Sequence, residues 1–248
     1  MADLKNINFE NGYVYNYMSQ YVLGIQADVA SKYHFLVTQL YWKDYFEYAK
    51  ETIEGFMVKS FPIASGYLSE RLAGRLIVGD KKIKIYINSH LTQEKQNVTF
   101  LHEFVHYLRH ANTKNPKTQI FSEMIRDEGY SFDDTLREAE ANFGAQLLAL
   151  PSVTLYELIV NEKDFDQVKN LFELDDAFMY ERIINFLVYE NDVPRLKASD
   201  YVHGVKSNNL KTLKPYVKKW WNTHMNEKVV SDRYINLSIS EINNPYWE

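Results

Sequence analysis

The stretch Leu101 to His110, LHEFVHYLRH, holds His102, Glu103 and His106 in an H-E-x-x-H pattern. On a helix, residues four apart lie on one face, one turn above the other, so two imidazoles can converge on one ion. The chain has no cysteine, so a metal site must be built from His and carboxylates. Zinc takes such nitrogen and oxygen donors at about 2.0 to 2.2 Å in a tetrahedron. One zinc ion is expected, another divalent metal being the alternative. Glu103 follows the first His directly and points about 100° away around the helix. That suits a base acting on a water at the metal better than a third ligand. The chemistry would be metal-assisted hydrolysis. A helix carrying two surface histidines is the competing reading, so a third ligand and a buried setting are required.

Two helices must position such a site. Placed at 100° intervals, Val98, Phe100, Leu101, Phe104, Val105, Tyr107 and Leu108 cover more than a third of the first helix. His102, His106 and His110 fall in the remaining arc with Glu103 beside them, so the helix is largely buried around one polar face. Thr92 or Asn97 can cap it. A second helix opens at Ser131 to Asp134, an S-x-x-D start. It runs through LREAEANFGAQLLAL and stops at Pro151. Glu138, Ala141, Asn142, Ala145 and Ala149 share one of its faces. The alanines admit a close neighbour, Glu138 can reach a metal on that neighbour, and Asn142 can fix a ligand tautomer. The alternative is a small-residue contact with Glu138 exposed. Glu140 points about 160° away and is the weaker candidate. His110 stands about 12 Å along the helix from His102, which assigns it to the rim. His110, Tyr107, Tyr201 and His203 are the residue types able to donate to a developing oxyanion.

Residues 1 to 20 read as an irregular lead-in. Ile25 to Met57 reads as one long aromatic helix, packed on the core or presenting a partner face. Gly66 to Ala73 reads as a short helix. Arg75 to Val78 and Lys81 to Asn88 read as a hairpin around Gly79-Asp80. Ile83, Ile85 and Ile87 alternate with Lys82, Lys84 and Tyr86, the pattern of a half-buried strand. Its lysines point to an exposed edge, so Ile83, Lys84, Ile85, Tyr86 and Ile87 form a candidate edge for an extended substrate. Ile120 to Asp127 reads as a short helix. Leu155 to Tyr189 holds two or three helices, read as a helix-turn-helix or an antiparallel pair. Tyr201 to Asn226 has no acidic residue but has Lys206, Lys211, Lys214, Lys218 and Lys219 with Trp220 and Trp221. It is a basic patch for nucleic acid or an acidic partner, or a solvated lysine face over buried tryptophans.

With 46% apolar residues the chain can fill a core, and abundant Tyr and Phe beside only 9 Gly favour helices over a turn-rich sandwich. The fold class expected is α+β, mainly helical. Net charge −5 argues against a nucleic-acid coat. The first residues, MADLKNINFENGY, lack the basic and apolar regions of a secretory signal. No run of about 18 apolar residues is seen, so no membrane span is expected, and the location expected is cytoplasmic. Residues 1–151 are expected to form a metal-binding core with an N-terminal helix, and residues 152–248 a helical extension packed on it.

The strand IKIYINS, the HEFVH helix and EAEANFGAQLLALP together resemble the ImmA/IrrE family of metallopeptidases, over roughly residues 60–190. The resemblance implies His102 and His106 as zinc ligands, Glu103 as the catalytic base and Glu138 as third ligand. It also implies a minimal thermolysin-like (gluzincin) core with a small sheet and additional C-terminal helices. Members cleave a cognate small helix-turn-helix repressor of a phage or mobile element and so relieve repression. Two departures stand out: Val105, where members often have Gly or Ala, and Gly144 before Ala145. Two rival functions remain. One is a non-proteolytic antirepressor or antitoxin-like protein that sequesters a partner. The other is a DNA-binding regulator acting through the helices near residue 180 and the lysine stretch.

Overall fold

A computed structural model of the chain describes residues 4–62, 72–79, 82–111, 118–124, 132–208 and 210–224. They fall into two compact units, one of Met1–Val22, Trp42–Ala149 and Glu173–Asp175, the other of Leu23–Tyr41, Leu150–Phe172 and Asp176–Glu248.

Among the described residues, four strands lie in the first unit: β1 (Phe56–Phe61), β2 (Leu72–Gly79), β3 (Lys82–Asn88) and β4 (Gln119–Met124). They form one mixed sheet in the order β1-β3-β2-β4, parallel between β1 and β3 and antiparallel elsewhere. Leu72, Leu76 and Val78 of β2 and Ile83, Ile85 and Ile87 of β3 are buried, and the helix α3 (Gln93–His110) lies against these two strands. Alternate residues face that helix, which is the half-buried pattern expected for a sheet covered on one side. Around it stand α2 (Trp42–Thr52) and α4 (Phe132–Ala149). The fold is α+β and mainly helical with a small sheet, as expected.

The hairpin of β2 and β3 forms as read, but β3 is an interior strand with β1 on its other side. Ile83 to Ile87 therefore offer no free edge. Their lysines mark the face of the sheet away from α3, and alternation along a strand is the same for an edge or an interior position. Where a helix is expected from Ile120, β4 pairs with β2; residues 125–127 of that expected helix lie outside those described. The lead-in is helical: α1 runs from Leu4 to Tyr33 and buries Val14, Tyr15, Met18 and Val22 along one stripe. The long aromatic helix is broken. His34 takes a positive φ of 57°, a 3-10 turn covers Val37–Gln39, and α2 starts at Trp42. Thr92 occupies the α3 N-cap position without a side-chain bond, while Asn97 lies inside the helix. The short helix expected at Gly66 to Ala73 falls mostly on residues outside those described; Leu72 and Ala73 open β2. Asp80 and Ser131 also lie outside them.

In the second unit are α5 (Ser152–Val160), α6 (Phe165–Phe172), α7 (Asp176–Asn191), α8 (Arg195–Asn208) and α9 (Lys214–His224). Arg182 is fully buried and donates from Nε to the Leu150 carbonyl and from Nη2 to Ser152 Oγ. Those bonds satisfy the chain break between α4 and α5 that Pro151 imposes. In the basic stretch, Trp220 is buried and Trp221 stacks on Tyr156 at 4.3 Å. Lys211 and Lys214 both pair with Glu162, so much of this charge is neutralised within the fold.

One segment, Thr135–Val160, is long and apolar enough to cross a membrane, with mean hydropathy 1.5. Pro151 interrupts it, and 83% of its most apolar window is buried inside the protein, as core helices are.

Candidate metal centre

The middle of α3 is buried on every side. Phe100, Leu101, Phe104 and Val105 pack into the core, and His102, Glu103 and His106 are 2%, 0% and 1% exposed. Polar side chains at that depth require partners, and α4 supplies them for the two histidines. Glu138 Oε2 lies 3.3 Å from His102 Nε2, and its Oε1 lies 3.3 Å from His106 Nε2. The two Nε2 atoms are 3.0 Å apart. A tetrahedron with bonds of about 2.0 to 2.1 Å has edges of about 3.3 Å. The three donors thus already form a triangle close to one face of a zinc-sized coordination shell, and among the described residues they are the group that can hold a metal. Two nitrogens and one carboxylate are also the donor set of catalytic rather than closed structural zinc sites.

Protonation suits the same role. Burial pushes the His106 imidazole down to about 4 against the raising effect of Glu138, so the ring is neutral at pH 7. In the metal-free chain burial raises Glu138, but the imidazoles of His102 and His106 beside it outweigh that and hold the carboxyl at about 2. A neutral ring and an ionised carboxylate are what a metal ligand set needs.

Each ligand imidazole is braced from behind. Asn142 Oδ1 lies 3.0 Å from His102 Nδ1 and accepts its proton, which leaves Nε2 as the donor to a metal. His106 Nδ1 lies 2.9 Å from His110 Nδ1, and His110 Nε2 lies 2.7 Å from Glu140 Oε2. Arg109 adds a 3.3 Å contact to Glu140. Burial raises the Glu140 carboxyl, yet His110 and Arg109 hold it below its ordinary value. The Phe121 ring of β4 stacks on His106 at 5.5 Å.

The rim position expected for His110 is therefore not what the structure has. Its side chain is 4% exposed and engaged at both nitrogens. Helix pitch gave its height on α3 but not the lateral reach of α4. Tyr107 is half-buried in α3, and burial raises its hydroxyl. Tyr201 and His203 belong to α8 in the second unit. Tyr201 meets Tyr216 edge-on at 5.6 Å, and His203 Nδ1 donates to the Ser199 carbonyl. Sequence reasoning missed Glu140 as a bracing carboxylate and Phe121 as a wall. No spacing marked Glu140, which lies about 160° around the helix from Glu138 and is engaged by His110 and Arg109 of α3; Phe121 was hidden because β4 was read as a helix.

Two glycines set how closely the pieces approach. Gly74 lies in β2, and a β-carbon there would come within 2.5 Å of Thr99 Cγ2 and 2.8 Å of Glu103 Oε1. It also sits in a bulge: between the pairs Leu72–Met124 and Arg75–Ser122, two residues of β2 face one of β4. Gly144 lies on α4, where a β-carbon would meet Val105 Cγ1, Val105 Cγ2 and Met18 Cε at 2.9 Å each. The two departures noted in the sequence are in contact, the larger residue on α3 filling the space left by the smaller one on α4.

The sequence profile of the IrrE N-terminal-like domain, a peptidase family, matches residues 56–183, more than half of the chain and all of the residues described above as the metal centre. No curated protein and no solved structure matches the chain.

Proposed function

Because the chain belongs to the family of IrrE N-terminal-like peptidase domains, we propose that it is a zinc-dependent endopeptidase acting on a small helix-turn-helix repressor in the cytoplasm. The observation that carries this reading is the convergence of His102, His106 and Glu138 beside Glu103. Zinc, when bound, polarises the scissile carbonyl and acidifies water. Glu103 takes the proton of the attacking water as its oxygen bonds to the carbonyl carbon. The same carboxylate then returns that proton to the amide nitrogen as the C–N bond breaks. Its burial keeps bulk water from competing for that proton.

The substrate edge moves from β3 to β4. Among the described residues β4 pairs only with β2, so its outer side offers main-chain donors and acceptors to an extended segment. Phe121 on that strand already touches His106, which brings a peptide bond on β4 towards the ligands. A protein partner is favoured over DNA by the net charge of −5 and the pairing of Lys211 and Lys214 with Glu162.

The test uses the full chain loaded with zinc and a small repressor encoded beside its gene. Cleavage followed by mass spectrometry should disappear in Glu103→Gln while zinc binding stays. A Glu103→Gln protein that relieves repression in full would transfer the biological role to partner sequestration.

A further inference from the structure

We infer that His110, backed by Glu140, is the positioning group for the His106 ligand and sets how tightly the centre holds its metal. The inference rests on reading His102, His106 and Glu138 as metal ligands. For His106 to present the Nε2 lone pair, its ring proton must sit on Nδ1. That proton has an acceptor 2.9 Å away, His110 Nδ1. His110 then carries its own proton on Nε2 and donates it to Glu140 Oε2 at 2.7 Å. With both rings neutral, this placement of protons satisfies all three groups. The reverse placement sets a bare ring nitrogen of His110 against a carboxylate. The chain continues to Arg109, which contacts Glu140 and lies over the Tyr17 ring at 5.0 Å.

The two ligands are braced unequally. His102 leans on a neutral amide oxygen, whereas His106 leans on an imidazole that is itself oriented by a carboxylate. Such outer partners fix ring orientation and raise ligand basicity, and their loss typically weakens metal binding about 10- to 100-fold.

The measurement is zinc affinity of the full chain, by competition with a chromogenic chelator, together with thermal unfolding of the metal-free protein. His110→Ala should bind zinc about 10- to 100-fold more weakly. His110→Asn should recover most of that loss, because its Oδ1 occupies the place of Nδ1, as Asn142 does for His102. Glu140→Gln should fall between, the neutral oxygen still accepting from His110. Equal weakening in the Ala and Asn variants reduces the pair to packing and overturns the inference, as does wild-type affinity in His110→Ala. If the Ala variant fails to fold, nitrogen-15 spectra of zinc-loaded wild type decide. Protons on His106 Nδ1 and His110 Nε2 support the relay, and a proton on His110 Nδ1 sinks it. Wild-type protein that takes up no zinc overturns the metal centre and this inference with it.

Discussion

Replacing Gly144 by alanine should destabilise the protein, against the usual direction for a helix interior. Alanine in place of glycine ordinarily stabilises a helix by about 0.5 to 1 kcal/mol. Here the new methyl would lie 2.9 Å from both γ-carbons of Val105 and from Met18 Cε. Met18 can swing its terminal methyl away. Val105 cannot: a β-branched side chain in a helix has one strongly favoured rotamer, and turning it still leaves one methyl facing the new group. Relief then needs α3 and α4 to separate, and overpacking of this kind costs about 1 to 3 kcal/mol. The net loss for Gly144→Ala is about 1 to 2 kcal/mol. Val105→Ala alone removes two fully buried methyls, about 2 kcal/mol at roughly 0.8 kcal/mol per buried group plus the void left behind. In the double variant the new methyl occupies part of that void. Its loss should therefore fall at least about 1 kcal/mol short of the sum of the singles, a coupling typical of residues in contact. Urea denaturation of the four proteins, followed by circular dichroism, measures the cycle. Stabilisation by Gly144→Ala alone, or strict additivity, would refute the idea that the two residues are complementary.

Other outcomes follow from the same geometry. Glu138→Ala should weaken zinc binding by more than the about 100-fold ceiling for losing an outer partner, read in the same chelator competition. Gly74→Ala should destabilise by roughly 2 kcal/mol and depress peptidase turnover while zinc affinity holds, because the clash falls on Thr99 and Glu103; stability regained in a Gly74→Ala, Thr99→Ala protein would confirm the site of the clash. The metal-free chain should lose stability as pH falls from about 6.5 to about 4. His106 is depressed to about 4 in the folded state, so the unfolded chain binds more protons across that window, a loss on the order of 3 kcal/mol. Glu138, held at about 2 against 4.5, extends the loss below pH 4.5. A melting temperature constant from pH 7 to pH 4, or an unchanged profile in His106→Gln, would rule this out.

The cluster that could hold a metal was legible because its geometry is mostly local. Four-residue spacing alone puts His102 and His106 on one face, and the alanines beside Glu138 announced a close helix contact. What depended on lateral neighbours was not legible. Alternation in β3 says which side chains face the core but not whether another strand lies alongside, and β1 does. The six residues of β4 carry no helical or strand period strong enough to decide, and their conformation comes from pairing with β2. Asn and Gly in the first dozen residues disguised α1, whose buried stripe includes Val14 and Met18. Val105 and Gly144 each looked anomalous alone; they explain each other only once the register of α3 on α4 is known.

The bare backbone of β2 at Gly74 has an implication for how this protein tolerates change. Glu103 is set off from the sheet by main chain, with no intervening side chain at that point. Main chain has no rotamers, so this spacing cannot be retuned by repacking. Leu76, Val78 and Ile85 can exchange volume with their neighbours, as cores generally do. Position 74 has no such latitude: any side chain there meets Thr99 and Glu103 and lengthens the gap that locates Glu103. The spacing of Glu103 from β2 is thereby insulated from drift in the surrounding core, and position 74 carries that vulnerability.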